Sequence, residues 1–201
     1  MTFLEITHPD EREGNLKEMA LLATGDQESV SLEKRCRCKD GSHRWMAVSI
    51  SAISGQGDET DRHFISLIDI SSRKQTEERL RLFESAIETM NDTVIITEAE
   101  PIDLPGPRIV YVNPAFTTET GFTEKDALEQ TPRILQGPKT DRAMLDKVRE
   151  HLEAQKPVKV EVTNYRKDGS EFDVEFSIVP VANDQGSVTH YVSVQRDVTE
   201  R

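Results

Sequence analysis

The sequence predicts an α+β protein whose main domain is a five-stranded antiparallel sheet with helices on one face. Two observations predict this fold class. Apolar and polar residues alternate with a period of two near the C-terminus, which is typical of half-buried strands. A similar segment occurs earlier in the chain, so the fold unit is expected twice. One copy is predicted to be complete, and an N-terminally truncated copy precedes it, joined to it by a helix.

The composition excludes several classes of function. A length of 201 residues suits one or two domains. The net charge of −12 would repel a phosphate backbone, so nucleic acid is not an expected partner. No apolar run is long enough to cross a membrane, and residues 1–6 lack the pattern of a secretion signal. Two cysteines, Cys36 and Cys38, cannot build a disulfide framework, so a cytoplasmic location is predicted.

The repeat is visible when the sequence is shifted by 128 positions. Residues 30–73 then lie on residues 158–201 without a gap, and 10 of the 44 positions are identical. Chance alone would give about 3 identities at ordinary residue frequencies. The longest shared run, Lys-Asp-Gly-Ser, occupies 39–42 and 167–170. Its Asp-Gly pair supplies the positive φ that a tight hairpin turn requires.

In the second copy, the predicted order is two strands, three helices and three strands. The first two strands flank a loop with three prolines, 98–107. Asn113 and Thr123 precede two short helices, and Thr140 or Asp141 caps a longer one that has apolar residues on one side. The closing strands form a meander with short turns. The predicted strands are 93–97, 108–112, 158–163, 171–181 and 188–198, and the longer helix is 141–152.

The first copy is incomplete, because only 29 residues precede its first repeated strand. Those residues hold one helix candidate, with Asp10 as its cap and Leu16, Met19, Ala20 and Leu22 as its apolar side. The early strand pair has no counterpart, which predicts a short sheet with an exposed edge. We therefore expect the chain to start inside a domain, with a partial domain over 1–73 and a complete domain over 85–201.

Residues 74–90 predict a connector helix between the two copies. Leu80, Phe83, Ile87 and Met90 are spaced by 3, 4 and 3 residues, which places them on one side of the helix. One interpretation is a surface helix that covers the sheet of the second copy. The other is a short coiled coil between two chains, although only two heptads are present where about three or four are expected. A homodimer is predicted, through this helix or through the sheet.

Several segments together resemble the PAS domains of bacterial signalling proteins. They are residues 3–10, 39–45 and 111–123, and the two endings 69–73 and 197–201. The resemblance covers nearly the whole chain and implies a PAS fold for both copies. It leaves the ligand open, because PAS domains hold haem, flavins, small metabolites or nothing.

A narrower resemblance, in the second copy, is to the flavin-binding LOV photosensors. It rests on residues 133–141, 148–149, 164–169 and 194–195. In that family, two arginines would grip the flavin phosphate as guanidinium forks, and Gln195 would change its hydrogen bonding with the state of the flavin N5. The resemblance implies FMN or FAD as a cofactor, with candidate contacts at Thr97, Arg133, Gln136, Arg149, Asn164 and Gln195.

Two positions depart from the LOV pattern. Pro132 stands where that family has its adduct-forming cysteine, so the covalent bond to flavin cannot form there. Val174 replaces a second ring-binding asparagine, which would leave one polar edge of a flavin unsatisfied at a cost of about 1–3 kcal/mol. In the first copy, Leu67 is the equivalent of Gln195, so no such site is expected there. The opposing interpretation is that the residues that match the LOV pattern are retained from a shared fold and bind no flavin.

No other cofactor or catalytic site is expected. A zinc site at Cys36 and Cys38 would lack two further ligands. A haem would need a histidine that faces the cavity, whereas His151 lies outside the apolar side of its helix. No nucleophile motif or phosphate-binding loop indicates catalysis.

The sequence therefore predicts a non-catalytic signalling module of one of two kinds. The first kind senses a small ligand, redox state or light and relays the change to a partner or output domain. That output domain, a kinase or a cyclic-di-nucleotide enzyme, is not contained in the 201 residues. The second kind binds no ligand and acts through dimerisation and protein–protein contact. The LOV-like residues favour the first kind, whereas Pro132, Val174 and Leu67 favour the second.

Overall fold

The computed structural model describes residues 5–23, 28–53 and 62–199. The chain divides into two compact units, Met1–Leu82 and Phe83–Arg201. Among the described residues, none of the helices is both long and apolar enough to cross a membrane.

The first unit contains a three-stranded antiparallel sheet in the order β1-β2-β3. A 3₁₀ turn at Pro9–Glu11 precedes the first helix, and His8 caps that turn. Residues 5–11 are held against the first strand by backbone hydrogen bonds from His8 N to Arg35 O and from Arg37 N to Ile6 O. The elements are α1 (Arg12–Ala23), β1 (Ser29–Arg37), β2 (His43–Ile53), β3 (Arg62–Asp69) and α2 (Ser71–Glu88), the last of which extends into the second unit.

Two details of the sequence prediction differ in this part of the chain. Leu16 on α1 is 52% exposed, so the predicted apolar side of that helix is not buried there, and the side chains of Met19 and Leu22 lie outside the described residues. The connector helix starts at Ser71 rather than 74, because the Asp69 carboxylate accepts a hydrogen bond from the Ser71 backbone N–H. It ends at Glu88, so Met90 lies beyond it. No residue of α2, which is described throughout, is buried.

The second unit confirms the predicted five-stranded antiparallel sheet, in the order β5-β4-β8-β7-β6. Asn113 and Thr123 cap two short helices as expected, and Asp141 caps the longer one. Thr140 instead turns inward and donates to the Thr163 carbonyl. An unpredicted 3₁₀ turn lies at Pro132–Leu135. The elements are β4 (Thr93–Glu98), β5 (Ile109–Val112), α3 (Pro114–Thr120), α4 (Glu124–Ala127), α5 (Arg142–Glu153), β6 (Val158–Tyr165), β7 (Glu171–Ala182) and β8 (Val188–Asp197).

The repeat seen in the sequence is also a repeat of strand register. Val30 lies opposite Ile50 in the first unit, and the residues 128 positions later, Val158 and Ile178, lie opposite each other in the second. The β2–β3 and β7–β8 pairs obey the same shift. Gly41 and Gly169 adopt φ values of 85° and 86° in the two hairpin turns. Equivalent positions in the two sheets can therefore be compared residue by residue.

Lys34 is a buried cation in the first unit. It is fully buried on β1, and its Nζ donates to Thr7 Oγ1 at 2.7 Å. Burial lowers the pKa of the Lys34 ammonium to about 8, because desolvation disfavours the charged form. At the equivalent position, the second unit has the apolar Val162.

We expect the stability of the first unit to depend on the Lys34 charge. Between about pH 8 and the ordinary lysine pKa of 10.5, the unfolded chain binds more protons at this residue than the folded chain, so Lys34 adds stability as the pH rises. Burial raises the pKa of the Cys36 thiol, so the contribution of Cys36 to stability falls as the pH rises, opposite to that of Lys34. Chemical denaturation of Lys34→Met and the wild type across this range isolates the lysine contribution.

The exposed Lys39 supplies the control for this measurement. Lys39→Met should keep the wild-type pH dependence, whereas Lys34→Met should lose the rise in stability above pH 8. An identical pH dependence in all three proteins would contradict the burial of a lysine with a lowered pKa.

Candidate functional site

A cavity of about 320 Å³ lies in the second unit between the sheet, α5, the loop at 102–107 and the 3₁₀ turn at Pro132–Leu135. Apolar side chains from the sheet and from α5 form much of its wall, including Ile95, Leu145, Val162 and Phe176. The C-terminal end of α5 is fixed to the sheet, because the Tyr191 hydroxyl donates to the Leu152 carbonyl at 2.7 Å. The volume is at the lower end of the range for small-molecule sites.

The structure brings all six candidate residues of the sequence analysis to this cavity. They come from five different elements and from the residue that follows the 3₁₀ turn, so only the folded chain places them together. The six are Thr97 on β4, Arg133 in the 3₁₀ turn, Gln136 after it, Arg149 on α5, Asn164 on β6 and Gln195 on β8.

The sheet presents buried polar side chains to the cavity. Asn164 is 6% exposed, and its side chain has no hydrogen bond to any other described residue. Gln195 is 7% exposed, and its Nε2 donates to Ser193 Oγ at 3.2 Å, which leaves its carbonyl oxygen open to a ligand. The cavity therefore offers donors and acceptors that a polar ligand could satisfy.

Three arginines, from α5 and the 3₁₀ turn, also line the cavity. Arg149 is tied to acidic groups, since its Nε donates to Glu153 Oε1 at 2.9 Å and its Nη2 donates to Asp103. These carboxylates raise the pKa of Arg149 further. Arg142 donates to Gln136 Oε1 at 3.5 Å. Arg133 forms no ion pair within the described part of the chain, so its guanidinium is available to an anion.

The two departures from the LOV pattern occupy different places. Pro132 lines the cavity, and the sequence has no cysteine between 83 and 201. Val174 is fully buried in the apolar cluster beneath α5, opposite Val162 on the neighbouring strand. In the first unit, Leu67 takes the register position of Gln195 and is 48% exposed. Val174 thus belongs to the apolar core and is not among the residues that line the cavity.

A buried carboxylic acid next to the site was missed by the sequence analysis. Thr93 on β4 lies directly opposite Gln195, and its hydroxyl donates to Glu119 on α3. The second oxygen of Glu119 is buried without a hydrogen-bond partner, and desolvation raises the pKa of this carboxyl group. Ser193 was also missed, although its spacing of two residues from Gln195 on a strand would have predicted that both share a face.

Asn113 joins the sheet of this unit to the last turn of α2. Its Oδ1 accepts from the backbone N–H groups of Val94 and Phe116, at 2.9 and 3.3 Å. Its Nδ2 donates to the carbonyls of Ile87 and Asp92, at 3.2 and 3.0 Å. Because β4 pairs with β8, this single side chain connects the strand next to Gln195 with the helix.

No group of side chains suited to a metal ion occurs within residues 5–23, 28–53 and 62–199. Cys36 is buried and Cys38 partly buried, and both thiols are free. Cys38 lies beyond the end of β1, in the hairpin turn. His151 is not among the residues that line the cavity, and its Nδ1 lies 2.8 Å from the Lys147 carbonyl.

Two family models match the chain. The model of the PAS domain matches residues 91–200, which is more than half of the chain, and a model of the PAS fold matches residues 1–65. The nitrogen fixation regulatory protein of Klebsiella oxytoca is 32% identical over 124 residues, which are 62% of this chain and 24% of that protein. A blue-light-activated histidine kinase of Brucella canis is 36% identical over 117 residues, 58% of this chain and 23% of the kinase. The chain thus spans about a quarter of these relatives.

Solved structures of light-oxygen-voltage domains are similar as well. A domain studied with a flavin analogue has a TM-score of 0.53 and 35% identity, over 59% of this chain and 86% of that domain. The light state of the aureochrome1 LOV domain, a blue-light photoreceptor, has a TM-score of 0.50 and 31% identity, over 59% of this chain and 90% of the other. These likenesses support the expected PAS and LOV-like fold of the chain.

Proposed function

Because this chain belongs to the PAS domain family and is a sensory signal-transduction module, we propose that its second unit binds a flavin nucleotide, FMN or FAD, without a covalent bond. The observation that carries the proposal is one cavity lined by two buried amides of the sheet, Asn164 and Gln195, and by arginines of α5 and of the 3₁₀ turn. This polarity matches a molecule with a flat polar ring and a phosphate. The proposed role is sensory rather than catalytic, in the cytoplasm.

The residues at the sheet fit the ring of such a ligand. Asn164 has hydrogen-bonding groups without a partner among the described residues, and the Gln195 amide can rotate to offer either its N–H₂ or its carbonyl. The apolar wall would exclude water from the ring faces. Val174, which stands where the LOV pattern has a third amide, is buried in the apolar cluster and does not line the cavity, so the affinity should be lower than in a site with a third amide.

The arginines fit the phosphate. Arg133 is free of acidic partners among the described residues, whereas Arg149 must exchange Asp103 or Glu153 for the ligand. Guanidinium forks bind phosphate oxygens in pairs, which fixes the orientation of the ligand as well as adding affinity. Asp146 also lines the cavity and weakens the positive potential there.

A bound flavin supplies redox and blue-light chemistry, and the protein residues convert its state into a change of structure. Gln195 is the residue that would exchange its hydrogen bond to Ser193 for one to the flavin ring when the protonation state of a bound ring changes. Strand β8 pairs with β4, and Asn113 ties Val94 of β4 to Ile87 of α2. We therefore infer that the connector helix receives the change and passes it to an output partner.

The arginine pair gives the proposal a quantitative test. We expect Arg133→Ala/Arg149→Ala to weaken FMN binding by about 10- to 100-fold, because two charge-assisted interactions with the phosphate are lost. The loss is limited because Arg149 binds the phosphate only by giving up an existing ion pair. Riboflavin, which lacks the phosphate, should bind the double variant and the wild type equally. Titration of each protein with FMN and riboflavin, followed by flavin fluorescence, measures both affinities.

Arg108 provides the matched control, because it is a half-exposed arginine paired with Glu98 and Glu129 and does not line the cavity. Arg108→Ala should leave both affinities unchanged. An equal loss of FMN and riboflavin affinity in the double variant would mean that the arginines support the fold rather than the phosphate.

A ligand-free interaction module is the second candidate function. It is favoured by exposed apolar residues on α2, where Leu80 and Phe83 are 56% and 50% exposed. In that case the wild type would bind neither FMN nor riboflavin. The function would then depend on contacts with another chain.

A further inference from the structure

The loop between β4 and β5, residues 99–108, borders the cavity of the second unit and is called the proline loop below. Four of its residues line the cavity, namely Ile102, Leu104, Gly106 and Pro107. Asp103 lies between the first two of these, and its carboxylate accepts a hydrogen bond from Arg149 Nη2 on α5. Because Arg149 also lines the cavity, this ion pair ties the proline loop to a residue of the candidate site.

The proline loop also lies beside a second arginine of the candidate site. A β-carbon added to Gly106 would be 3.4 Å from Arg133 Nε. The backbone N–H of Gly106 donates to the Asp103 carbonyl at 2.7 Å, so both residues belong to one tight turn. This turn therefore places its carboxylate on Arg149 and its glycine next to Arg133.

The two carboxylate partners of Arg149 differ in how they are held. Glu153 lies one turn further along the same helix and accepts from Arg149 Nε at 2.9 Å. Asp103 accepts from Nη2 and reaches α5 only through the fold of the proline loop. A phosphate that binds both Nη groups as a fork would replace Asp103 and leave the bond to Glu153 in place. Asp103 is therefore the partner that such a ligand displaces.

We propose that Asp103 is a specificity-determining residue of the cavity, which holds the proline loop on Arg149 and competes with a ligand phosphate for the same guanidinium. The inference rests on the proposed function for the identity of that ligand, a flavin nucleotide. Two anions at the same Nη groups repel each other, so one must leave when the other binds. Asp103 thus lowers the affinity for ligands with a phosphate and not for those without one, and phosphate binding releases the loop.

A cycle of two substitutions tests the competition. We expect Asp103→Asn to raise the affinity for FMN by about 3- to 5-fold, a modest gain because both side chains of the ion pair are largely exposed and such pairs are weak. The affinity for riboflavin should not change. In an Arg149→Ala background, Asp103→Asn should lose this gain, because the shared guanidinium is absent. Titrations followed by flavin fluorescence, all at one ionic strength, measure these affinities.

Glu100→Gln is the matched control, because Glu100 is an exposed carboxylate of the same loop that does not line the cavity. It removes the same charge as Asp103→Asn and should leave the FMN affinity nearly unchanged. An equal gain in the two variants would overturn the proposal, since the effect would then be one of overall charge. A gain in Asp103→Asn that persists in the Arg149→Ala background would overturn it as well.

Hydrogen exchange without flavin separates a failure of this inference from a failure of the proposed function. The Gly106 amide should exchange faster in Asp103→Asn than in the wild type. In the wild type, inorganic phosphate should accelerate it more than chloride does at the same ionic strength. If these changes occur but neither FMN nor riboflavin binds, the flavin proposal fails and the competition at Arg149 stands. An amide that exchanges equally in both proteins and ignores phosphate would overturn the inference, even if flavin binds.

Discussion

Asn113→Ala is expected to destabilise the second unit by about 3 kcal/mol, the sum of a lost helix cap and of buried backbone groups left unsatisfied. The Asn113 side chain is 1% exposed and makes four hydrogen bonds, to Val94, Phe116, Ile87 and Asp92. Water cannot replace the bond to the buried Val94 N–H. The last turn of α2 would also lose its attachment to this unit, so the variant should uncouple the helix as well as lower stability.

Thermal denaturation measures the loss, with an expected fall in Tm of about 10 °C. Asp141→Ala is the matched control, because Asp141 also caps a helix but is exposed, and within the described residues its side chain bonds only to Ala143 and Met144. Its cost should be about 1 kcal/mol. Equal losses in the two variants would show that Asn113 acts only as a cap and does not hold α2.

Gly137→Ala is the second substitution with a large expected effect. A β-carbon at this position would overlap the Tyr165 ring, lying 2.7 Å from its Cζ and closer still to its Cδ2 and Cε2. The ring cannot swing aside freely, since its hydroxyl accepts from Lys139 N at 3.1 Å and donates to Glu171. We expect a loss of about 3 kcal/mol and a displaced Gln136, the neighbour that lines the cavity.

Denaturant unfolding measures this loss of stability, and two further variants serve as controls. Gly14→Ala, on a helix with no atom within 4 Å of the added carbon, should be neutral or stabilising by up to about 1 kcal/mol. In a Tyr165→Ala background, Gly137→Ala should cost far less than in the wild type. A cost that is unchanged by the removal of the ring would contradict the clash as its cause.

The sequence was sufficient for the sheet of the second unit and for most of its helix ends. Alternation fixed the faces of β6, β7 and β8, and polar residues that cap helices, such as Asn113, marked where helices begin. The identical register in the first unit follows from the same pattern and the same Asp-Gly turn. These features depend on residues close in sequence, so they can be predicted from the sequence alone.

Long-range pairings could not be predicted in the same way. Asp103 reaches Arg149 from a proline-containing loop 46 residues away, and nothing in the local pattern indicates this partner. Glu119 is exposed to little water only because α3 packs on β4 near Thr93. Lys34 interrupts an apolar alternation, and its burial depends on Thr7, which is 27 residues distant. Each of these charged groups gains its partner or its burial only from residues that are distant in sequence, so local patterns could not predict it.

The most direct test of the proposed flavin site is an absorption spectrum of the full chain after it has been mixed with FMN and desalted. We expect a retained band at about 450 nm, as for an oxidised flavin held by protein, that is absent in the Arg133→Ala/Arg149→Ala variant. A colourless wild-type protein after desalting, with no flavin fluorescence on unfolding, would contradict a flavin site in this cavity. The interaction module would then be the better account of the chain.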